Sequence, residues 1–263
     1  MEMVCLLVLL MTMRRNQPAP PPPPIDQDLV DRNVEDLRRR LGRAARSEVA
    51  AQLKALLGSD VPCYGVKAPE THSIGLETVR RVRSAGFPLT MAISEALFKS
   101  AKLEESLIGA QLVGALARHV GSGDFDRFES WSGTLNNSQT ADVLATQCIS
   151  RAMAAKPSVA MRLLEWGKSD NPWRRRAAVM SFAPLVREGR FMTDALSMAE
   201  VLMTDPHEEV QRGVGMMLLD ASRLQSPRVV EFLVPWKDRA ARLILQTAAT
   251  KLSREDRALV LGQ

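Results

Sequence analysis

From residue 26 to its end, the chain is a series of segments whose apolar residues recur every three to four positions. Short stretches containing Gly, Pro, Asn or Ser separate these segments. Apolar residues at that spacing form one face of an α-helix. No segment shows the alternation of β-branched and polar residues that a half-buried strand requires. The sequence therefore predicts an all-α fold.

The predicted helices begin and end at the separating residues. They span residues 28–44, 47–58, 74–85, 88–100, 103–119, 124–131, 139–154, 157–166, 172–187, 191–203, 206–224, 227–233, 239–252 and 254–261. Pro184 lies inside the helix over 172–187 and is expected to kink it. Residues 62–70 are predicted to form a loop, because two prolines and a glycine disrupt regular structure there.

The helices pair through short connections, and the pairs recur at intervals of roughly 35–40 residues, as in helical repeat arrays. A compact bundle is the competing architecture. In the helix over 172–187, Trp173 and Ala177 lie on one apolar stripe and Phe182 lies on a second. A helix that is apolar on two sides is packed between neighbours. This pattern favours a layered solenoid, formed by one domain over residues 26–263.

Charge and the spacing of metal-binding residue types limit the classes of function. The formal net charge is +5 and the isoelectric point is about 9.4, which suggests a polyanionic partner but is also found on ordinary basic surfaces. The cysteines and histidines are too widely spaced for a disulfide framework or a zinc site: Cys5, Cys63, Cys148, His72, His119 and His207. We expect no metal or other cofactor, and a cytoplasmic location.

Residues 1–25 are predicted to be a disordered tail outside the fold. Their apolar run, residues 3–11, is too short to span a bilayer, and a Pro-rich stretch follows it. A signal peptide is the alternative, although no basic region precedes the run and no small-residue cleavage site follows it. Met1, Met11 and Met13 are alternative translation starts. We expect no association with a membrane.

The segment NPWRRRAAVMSF, residues 171–182, combines good helix-start residues with cations in an unfavourable place. Asn171 suits the N-cap and Pro172 suits the first helical position. Arg174, Arg175 and Arg176 then crowd the first turns, where the helix dipole is positive. Either they form a solvated basic edge or an anionic partner lies beside them.

This segment resembles the N-x-W-x-R-R-x-A stretch of the AlkD-type DNA alkylation repair proteins, which are built of HEAT-like helical repeats. CYGVKAPE at 63–70, NNSQTADVLATQCI at 136–149 and the run over 210–252 are similar to three further segments of that family. The four stretches follow in order and at matching spacings over about residues 30–255. The resemblance implies a C-shaped α-α superhelix with a basic concave face.

The resemblance also implies repair of alkylated DNA. Members of the family hold double-stranded DNA on the concave face. They hydrolyse the N-glycosidic bond of cationic alkylated purines, chiefly 3-methyladenine and 7-methylguanine, without flipping the base into a pocket, unlike most glycosylases. Since alkylation already makes the base a cationic leaving group, the site has to stabilise positive charge. A carboxylate and aromatic rings both do so. We further expect a monomer associated with the nucleoid.

The family's functional residues carry over where the residue types match. The carboxylate that faces the lesion falls on Asp142, and the arginine that contacts the DNA backbone near it falls on Arg176. Further DNA contacts are expected from Arg174, Arg175, Tyr64, Arg239 and Arg242. Two tryptophans of the family's site are replaced here by Ser138 and Met216. Their loss removes two cation–π contacts of about 0.5–2 kcal/mol each, so we expect an N-glycosylase whose activity is either weakened or lost.

Each of these residues also has an ordinary structural interpretation. Asp142 can complement a helix dipole, Arg176 can pair with an acid on the neighbouring repeat, and the Tyr64 hydroxyl can cap a helix end. Trp173 and Trp131 are expected to pack in the core.

Two other functions compete with the glycosylase hypothesis. A non-catalytic solenoid that binds damaged or branched DNA is consistent with the missing tryptophans. A scaffold that holds an acidic protein partner in its groove is the third possibility, since helical repeats commonly bind peptides.

Overall fold

Residues 25–262 are the part of the chain that the structure, a computed structural model, describes. Every regular element in that range is a helix, which confirms the all-α prediction. The tail predicted over residues 1–25, with its alternative starts and signal peptide, lies outside the described residues except for Ile25.

The α-helices are numbered here in chain order. They are α1 (Gln27–Ala44), α2 (Ser47–Leu57), α3 (Ala68–Val82), α4 (Phe87–Lys99), α5 (Leu103–Ala115), α6 (Phe125–Ser132), α7 (Ser138–Val143), α8 (Ser150–Ala155), α9 (Val159–Trp166), α10 (Pro172–Met180), α11 (Ala183–Val186), α12 (Met192–Leu202), α13 (Glu208–Leu233), α14 (Arg242–Ala248) and α15 (Arg254–Leu261). A π-helical segment, Leu144–Ile149, joins α7 to α8.

The helices form two layers. In the first layer α3, α5, α7, α10, α13 and α14 each pack against the next. The second layer contains α1, α4 and α6, and further along the chain α9 and α12. Pairs such as α4 with α5 and α12 with α13 join the layers. The result is an all-α superhelix, as the two-sided apolar pattern predicts, and not a bundle around one centre.

Two helix interruptions coincide with prolines. The helix predicted over 172–187 ends at Met180 and resumes at Ala183, so that Pro184 lies in the first turn of α11. Helix α13 is kinked at Gln225, whose φ of −133° and ψ of 46° are not helical, two residues before Pro227. Both breaks agree with the sequence, because a proline tolerates a first turn but disrupts a helix interior.

The beginning of α3 was predicted incorrectly. The helix starts at Ala68, not at residue 74, and Pro69 lies in its first turn. A proline fits there because the first N–H groups of a helix have no partner within it. Residues 68–70 therefore belong to the helix, and the loop is shorter than expected.

Glycines make room for neighbouring side chains at four contacts between helical elements, which we call the glycine joints. The four joints are Gly75 against Gln111, Gly114 against Gln147, Gly213 against Arg176 and Gly215 against Thr247. A Cβ added to Gly215 would lie 2.5 Å from Cβ of Thr247 and 3.2 Å from the carbonyl oxygen of Ile244. At Gly215 a larger residue would push the two helices apart, whereas the glutamine side chains opposite Gly75 and Gly114 can move aside.

We expect Gly215→Ala to lower the free energy of unfolding by about 2 kcal/mol, because the atoms it meets belong to a packed neighbouring helix. Gly42→Ala is the matched control. Gly42 lies near the exposed end of α1 with no atom within 4 Å of the added Cβ. There the change should stabilise the protein by roughly 0.5–1 kcal/mol. Urea unfolding followed by circular dichroism measures both. Equal stability of Gly215→Ala and the wild type would contradict the tight joint.

Candidate active site

Asp142 and Arg176 form a bidentate ion pair between α7 and α10. Nε and Nη2 of Arg176 donate to Oδ1 and Oδ2 of Asp142, each at 2.8 Å. The side chain of Arg176 is 4% exposed and that of Asp142 is 27% exposed. Arg176 thus pairs with an acid of a neighbouring helix, and that acid is the predicted site carboxylate. One side of the carboxylate remains open to solvent.

Local structure fixes both partners. Asn137 caps α7, since its Oδ1 accepts from the backbone N–H of Thr140 at 3.0 Å. The π-helical segment begins directly after the last turn of α7, which holds Asp142, and π-turns often occur at functional sites. On the opposite side, Gly213 leaves space for the stem of Arg176, because a Cβ there would lie 3.2 Å from Cγ of the arginine.

Glu209 is the third member of the site and was not predicted. Nη1 of Arg176 donates to the backbone carbonyl of Glu209 and lies 3.4 Å from its Oε2. The other carboxylate oxygen, Oε1, lies 3.1 Å from Nε of Arg212. One buried guanidinium therefore contacts two acidic residues. The available signal in the sequence was a pair of acidic residues in the first turn of α13.

Arg174 and Arg175 are held by carboxylates of the protein itself. Arg175 pairs with Asp205 through Nε at 2.6 Å and Nη2 at 2.9 Å. Nη2 of Arg174 donates to Glu129 at 3.0 Å, and its guanidinium lies 4.6 Å from the centre of the Trp166 ring. These acids offset the cost of cations at a helix start, so no external anion is needed to explain their position. That Arg174 and Arg175 contact DNA stays a prediction. Such contacts would require their ion pairs with Glu129 and Asp205 to open.

The side chain of Tyr64 is hydrogen-bonded to the first turn of α5. Its hydroxyl donates to Oε1 of Glu105 at 2.7 Å, and Nζ of Lys102 lies 4.2 Å from the centre of its ring. Burial and the hydrogen bond to Glu105 raise the pKa of Tyr64. The hydrogen bond from Arg38 to the same carboxylate raises the pKa of Arg38. The hydroxyl bonds a side chain, so the capping interpretation is wrong, while the contact with DNA stays a prediction.

The backbone of this loop is fixed by Glu104. Oε2 accepts from the N–H of Tyr64 at 3.0 Å, and Oε1 accepts from Gly65 at 2.9 Å and Val66 at 3.0 Å. Glu104 is 1% exposed. Neither Glu104 nor Glu105 was predicted, because acids in a first helical turn are ordinarily attributed to the helix dipole.

Ser138 and Met216, the positions at which the resemblance expects tryptophans, both lie near the ion pair. Ser138 is the first residue of α7, one turn before Asp142, and is half-buried. Met216 is 39% exposed, and its Sδ lies 3.9 Å from Nη2 of Arg176. Neither residue supplies an aromatic ring to the site.

A hollow of about 240 Å³ opens at the starts of α7 and α10. It is lined by Leu56, Leu57, Ser138, Gln139, Trp173 and Glu209, and we call it the Trp173 hollow. Trp173 was expected in the core but is half-buried, with its ring against His207 at 5.2 Å and an interplanar angle of 75°. Trp131, by contrast, is 2% exposed and stacks on Phe98, as predicted.

A sequence model of the family described as DNA alkylation repair enzyme matches residues 37–252. The chain belongs to the DNA alkylation repair enzyme family. A solved structure described as a predicted DNA alkylation repair enzyme from Enterococcus faecalis is similar, with a TM-score of 0.69 and 15% sequence identity. The match covers 80% of this chain and 97% of that one. At this identity it supports the fold alone. No curated protein matches.

The range that the family model matches includes two C-terminal arginines. The guanidinium of Arg239 lies 4.5 Å from the centre of the Trp236 ring. Nη1 of Arg242 donates to the carbonyl of Leu261 at 3.0 Å. Both residues are exposed, and among the described contacts neither reaches Asp142 or Arg176. Their binding to phosphates stays a prediction.

In residues 25–262 no group of three or more His, Cys, Asp and Glu side chains is arranged to hold a metal ion. Cys63 and Cys148 are free thiols. No helix in the same range is long and apolar enough to cross a membrane. The groups beside the ion pair that carry chemistry are carboxylates, guanidinium groups and an indole ring.

Proposed function

We propose that this protein binds double-stranded DNA and hydrolyses the N-glycosidic bond of cationic alkylated purines, such as 3-methyladenine and 7-methylguanine, without flipping the base. One observation carries the proposal. In a chain of the DNA alkylation repair enzyme family, the partly exposed carboxylate of Asp142 is held on both oxygens by the buried Arg176.

Hydrolysis of this N-glycosidic bond requires little from the protein other than a negative charge in a fixed position. When the C1′–N9 bond breaks, its electron pair leaves with the base and cancels the base's positive charge. The deoxyribose becomes oxocarbenium-like and positive. A carboxylate that is already oriented stabilises this charge without reorganising during the reaction. Water then adds to C1′ and loses a proton, which leaves an abasic site. Asp142 supplies the charge, and Arg176 is its positioning residue.

DNA binding is proposed to come from basic residues along the superhelix. Arg239 and Arg242 are exposed, so we assign them the larger share of phosphate contacts. Arg174 and Arg175 are proposed to reach phosphates only when their ion pairs with Glu129 and Asp205 open, while Arg176 keeps its pair with Asp142. Binding of this kind weakens as salt rises, because each phosphate contact releases counterions.

The proposal is tested by base release from duplex DNA that carries 7-methylguanine, measured in single turnover with excess protein. We expect release above the spontaneous rate. Asp142→Asn should slow it on the order of a hundredfold, the typical effect of losing one oriented electrostatic group, with DNA affinity unchanged. Asp238→Asn, which removes a carboxylate from an exposed residue, is the matched control and should act like the wild type. No release by excess wild-type protein would refute the proposal.

A non-catalytic DNA-binding role is the second candidate, and the absence of aromatic side chains at Ser138 and Met216 favours it. It predicts salt-dependent binding to duplex DNA with no base release. Equal affinity at low and high salt would exclude both DNA-binding proposals. The same outcome would favour a protein partner.

A further inference from the structure

A larger hollow, of about 450 Å³, opens between three helical segments of the first layer. It lies between α3, α5 and the junction of α7 with the π-helical segment, and we call it the Thr71 hollow. Its lining includes Thr71, Leu76, Leu107, Gln111, Val143 and Gln147. Pockets that bind small molecules typically measure roughly 300–1,000 Å³, so this hollow is large enough for one.

The Thr71 hollow is mostly apolar and carries no fixed charge. Of the described residues that line it, none is an aspartate, glutamate, lysine or arginine, and the one titratable side chain is the exposed His72. Charged residues make up 25% of the chain, so their absence from this lining sets the hollow apart from the rest of the surface. A phosphate or carboxylate would lose its hydration there without gaining a partner of opposite charge. The lining therefore favours an uncharged occupant.

Thr71 contributes a hydroxyl group without a partner. The residue is 4% exposed, and its Oγ1 makes no hydrogen bond with any described residue. Buried polar atoms are rarely left in this state, because an unmade hydrogen bond lowers stability. Thr78, two turns further along α3, shows the usual arrangement, since its hydroxyl donates to the carbonyl of Ile74 at 2.8 Å. The side chain of Thr71 borders the hollow, so an acceptor atom of a bound molecule would supply the missing partner.

Two glutamines add uncharged polar groups to the same hollow. Nε2 of Gln111 donates to the backbone carbonyl of His72 at 3.3 Å, which is a long hydrogen bond. Gln111 lies against Gly75 and Gln147 lies against Gly114, through the ends of flexible side chains. A primary amide both donates and accepts hydrogen bonds. These side chains can therefore turn towards the polar edge of a neutral molecule.

We propose that the Thr71 hollow binds a small, uncharged molecule that has an apolar body and a carbonyl or a similar hydrogen-bond acceptor. The apolar body packs against Leu107 and Val143, and the acceptor takes the hydrogen bond that Thr71 offers. The lining of this hollow includes neither Asp142 nor Arg176. The inference is therefore independent of the glycosylase function proposed above.

Three probes of similar shape test the proposed ligand class. Acetophenone has a carbonyl beside a phenyl ring, ethylbenzene has a methylene group in its place, and benzoate carries a negative charge. Each is titrated into the full-length protein, and NMR of the backbone amides reports where it binds. We expect acetophenone and ethylbenzene to shift the amide signals around the hollow, and benzoate to bind there at least roughly tenfold more weakly.

Thr71→Val keeps the shape of the side chain and removes the hydroxyl. The ratio of the acetophenone affinity to the ethylbenzene affinity should fall in this variant by about twofold to twelvefold, which corresponds to the 0.5–1.5 kcal/mol of one hydrogen bond. Comparing ratios between two proteins cancels the difference in hydrophobicity between the probes. The melting temperature should rise by roughly 2–4 °C, because a buried unpaired hydroxyl is gone.

Two further threonine variants serve as controls. Thr71→Ser keeps the hydroxyl and should keep the affinity ratio of the wild type. Thr78→Val removes a buried hydroxyl that already has a partner, so it should leave the ratio unchanged and should not raise the melting temperature. Circular dichroism verifies that each variant folds.

Ala115→Trp tests the location of the site. Ala115 lines the hollow and is exposed, so an indole there should fill part of the hollow and abolish the shifts caused by both neutral probes. Ala155→Trp, at the exposed end of α8, should leave them unchanged. An unchanged affinity ratio in Thr71→Val overturns the inference, since a water molecule would then suffice as the partner of the hydroxyl. No binding of acetophenone by the wild type, or equal binding of benzoate in the hollow, overturns it as well.

Discussion

Replacing Arg176 by methionine is expected to lower the free energy of unfolding by about 3 kcal/mol. Methionine keeps the length of the stem beside Gly213 but donates no hydrogen bonds. The carboxylate of Asp142 and the backbone carbonyl of Glu209 would lose their donor. Removing one partner of a buried ion pair typically costs 3–5 kcal/mol. The partial exposure of Asp142, at 27%, keeps the loss near the lower limit.

Urea unfolding of four proteins measures this effect: the wild type, Arg176→Met, Asp142→Asn and the double variant. The double variant should be more stable than the sum of the single losses implies, by at least about 1 kcal/mol, because residues in contact are energetically coupled. Arg187→Met is the matched control. Arg187 is half-exposed and lies 3.7 Å from Asp220, and such a surface pair contributes 0–1 kcal/mol, roughly. A loss below about 1 kcal/mol in Arg176→Met would show that the pair does not hold α7 against α10.

Glu104→Ala is expected to have a comparable or larger effect, about 4 kcal/mol. The substitution leaves three consecutive backbone N–H groups, those of residues 64–66, without their acceptor. Each buried donor left unpaired costs about 1–3 kcal/mol. Gly65 cannot adjust easily, since it has a φ of +82° and packs against the backbone of Arg46. The loop between α2 and α3 should then separate from α5.

The same unfolding experiment measures the loss in Glu104→Ala, and limited proteolysis reports the loop directly. Cleavage between residues 58 and 67 should become faster in this variant than in the wild type. Glu104→Gln keeps one acceptor and should lose about half as much. Glu70→Ala, which removes an acid that is 39% exposed and pairs with Arg46 at 3.5 Å, should change little. Unchanged stability and cleavage in Glu104→Ala would contradict the assigned role of this carboxylate.

Much of the fold could be predicted because it depends on local patterns. Apolar spacing gave the helices, and prolines marked the break before Pro184 and the kink before Pro227. The π-helical segment after Asp142 could not be foreseen, because one extra residue in a turn leaves no mark in the apolar period. The start of α3 was predicted incorrectly because Pro69 was taken as a helix breaker, whereas a proline in the first turn of a helix is tolerated.

The candidate site could be predicted only in part, since it depends on which distant residues meet. The resemblance drew attention to Asp142 and Arg176, which are 34 positions apart and form an ion pair. It did not reveal Glu209, or the acids that hold Arg174 and Arg175. Which side chains form ion pairs across helices depends on how the helices pack. The amino-acid composition cannot predict these pairs. The location of Trp173 was also predicted incorrectly. Its place on an apolar stripe indicated a buried core residue, whereas its ring borders a hollow.

The glycine joints have a consequence for the shape of the whole molecule. A superhelix is a chain of nearly identical steps, so a small change of angle at one step is multiplied along its length. At Gly215, where an added methyl group would meet Cβ of Thr247 and the backbone of Ile244, the absence of that group sets the distance of one step. The pitch and the opening of the coil can therefore be altered at one step through Gly215, which contributes no functional group to the site.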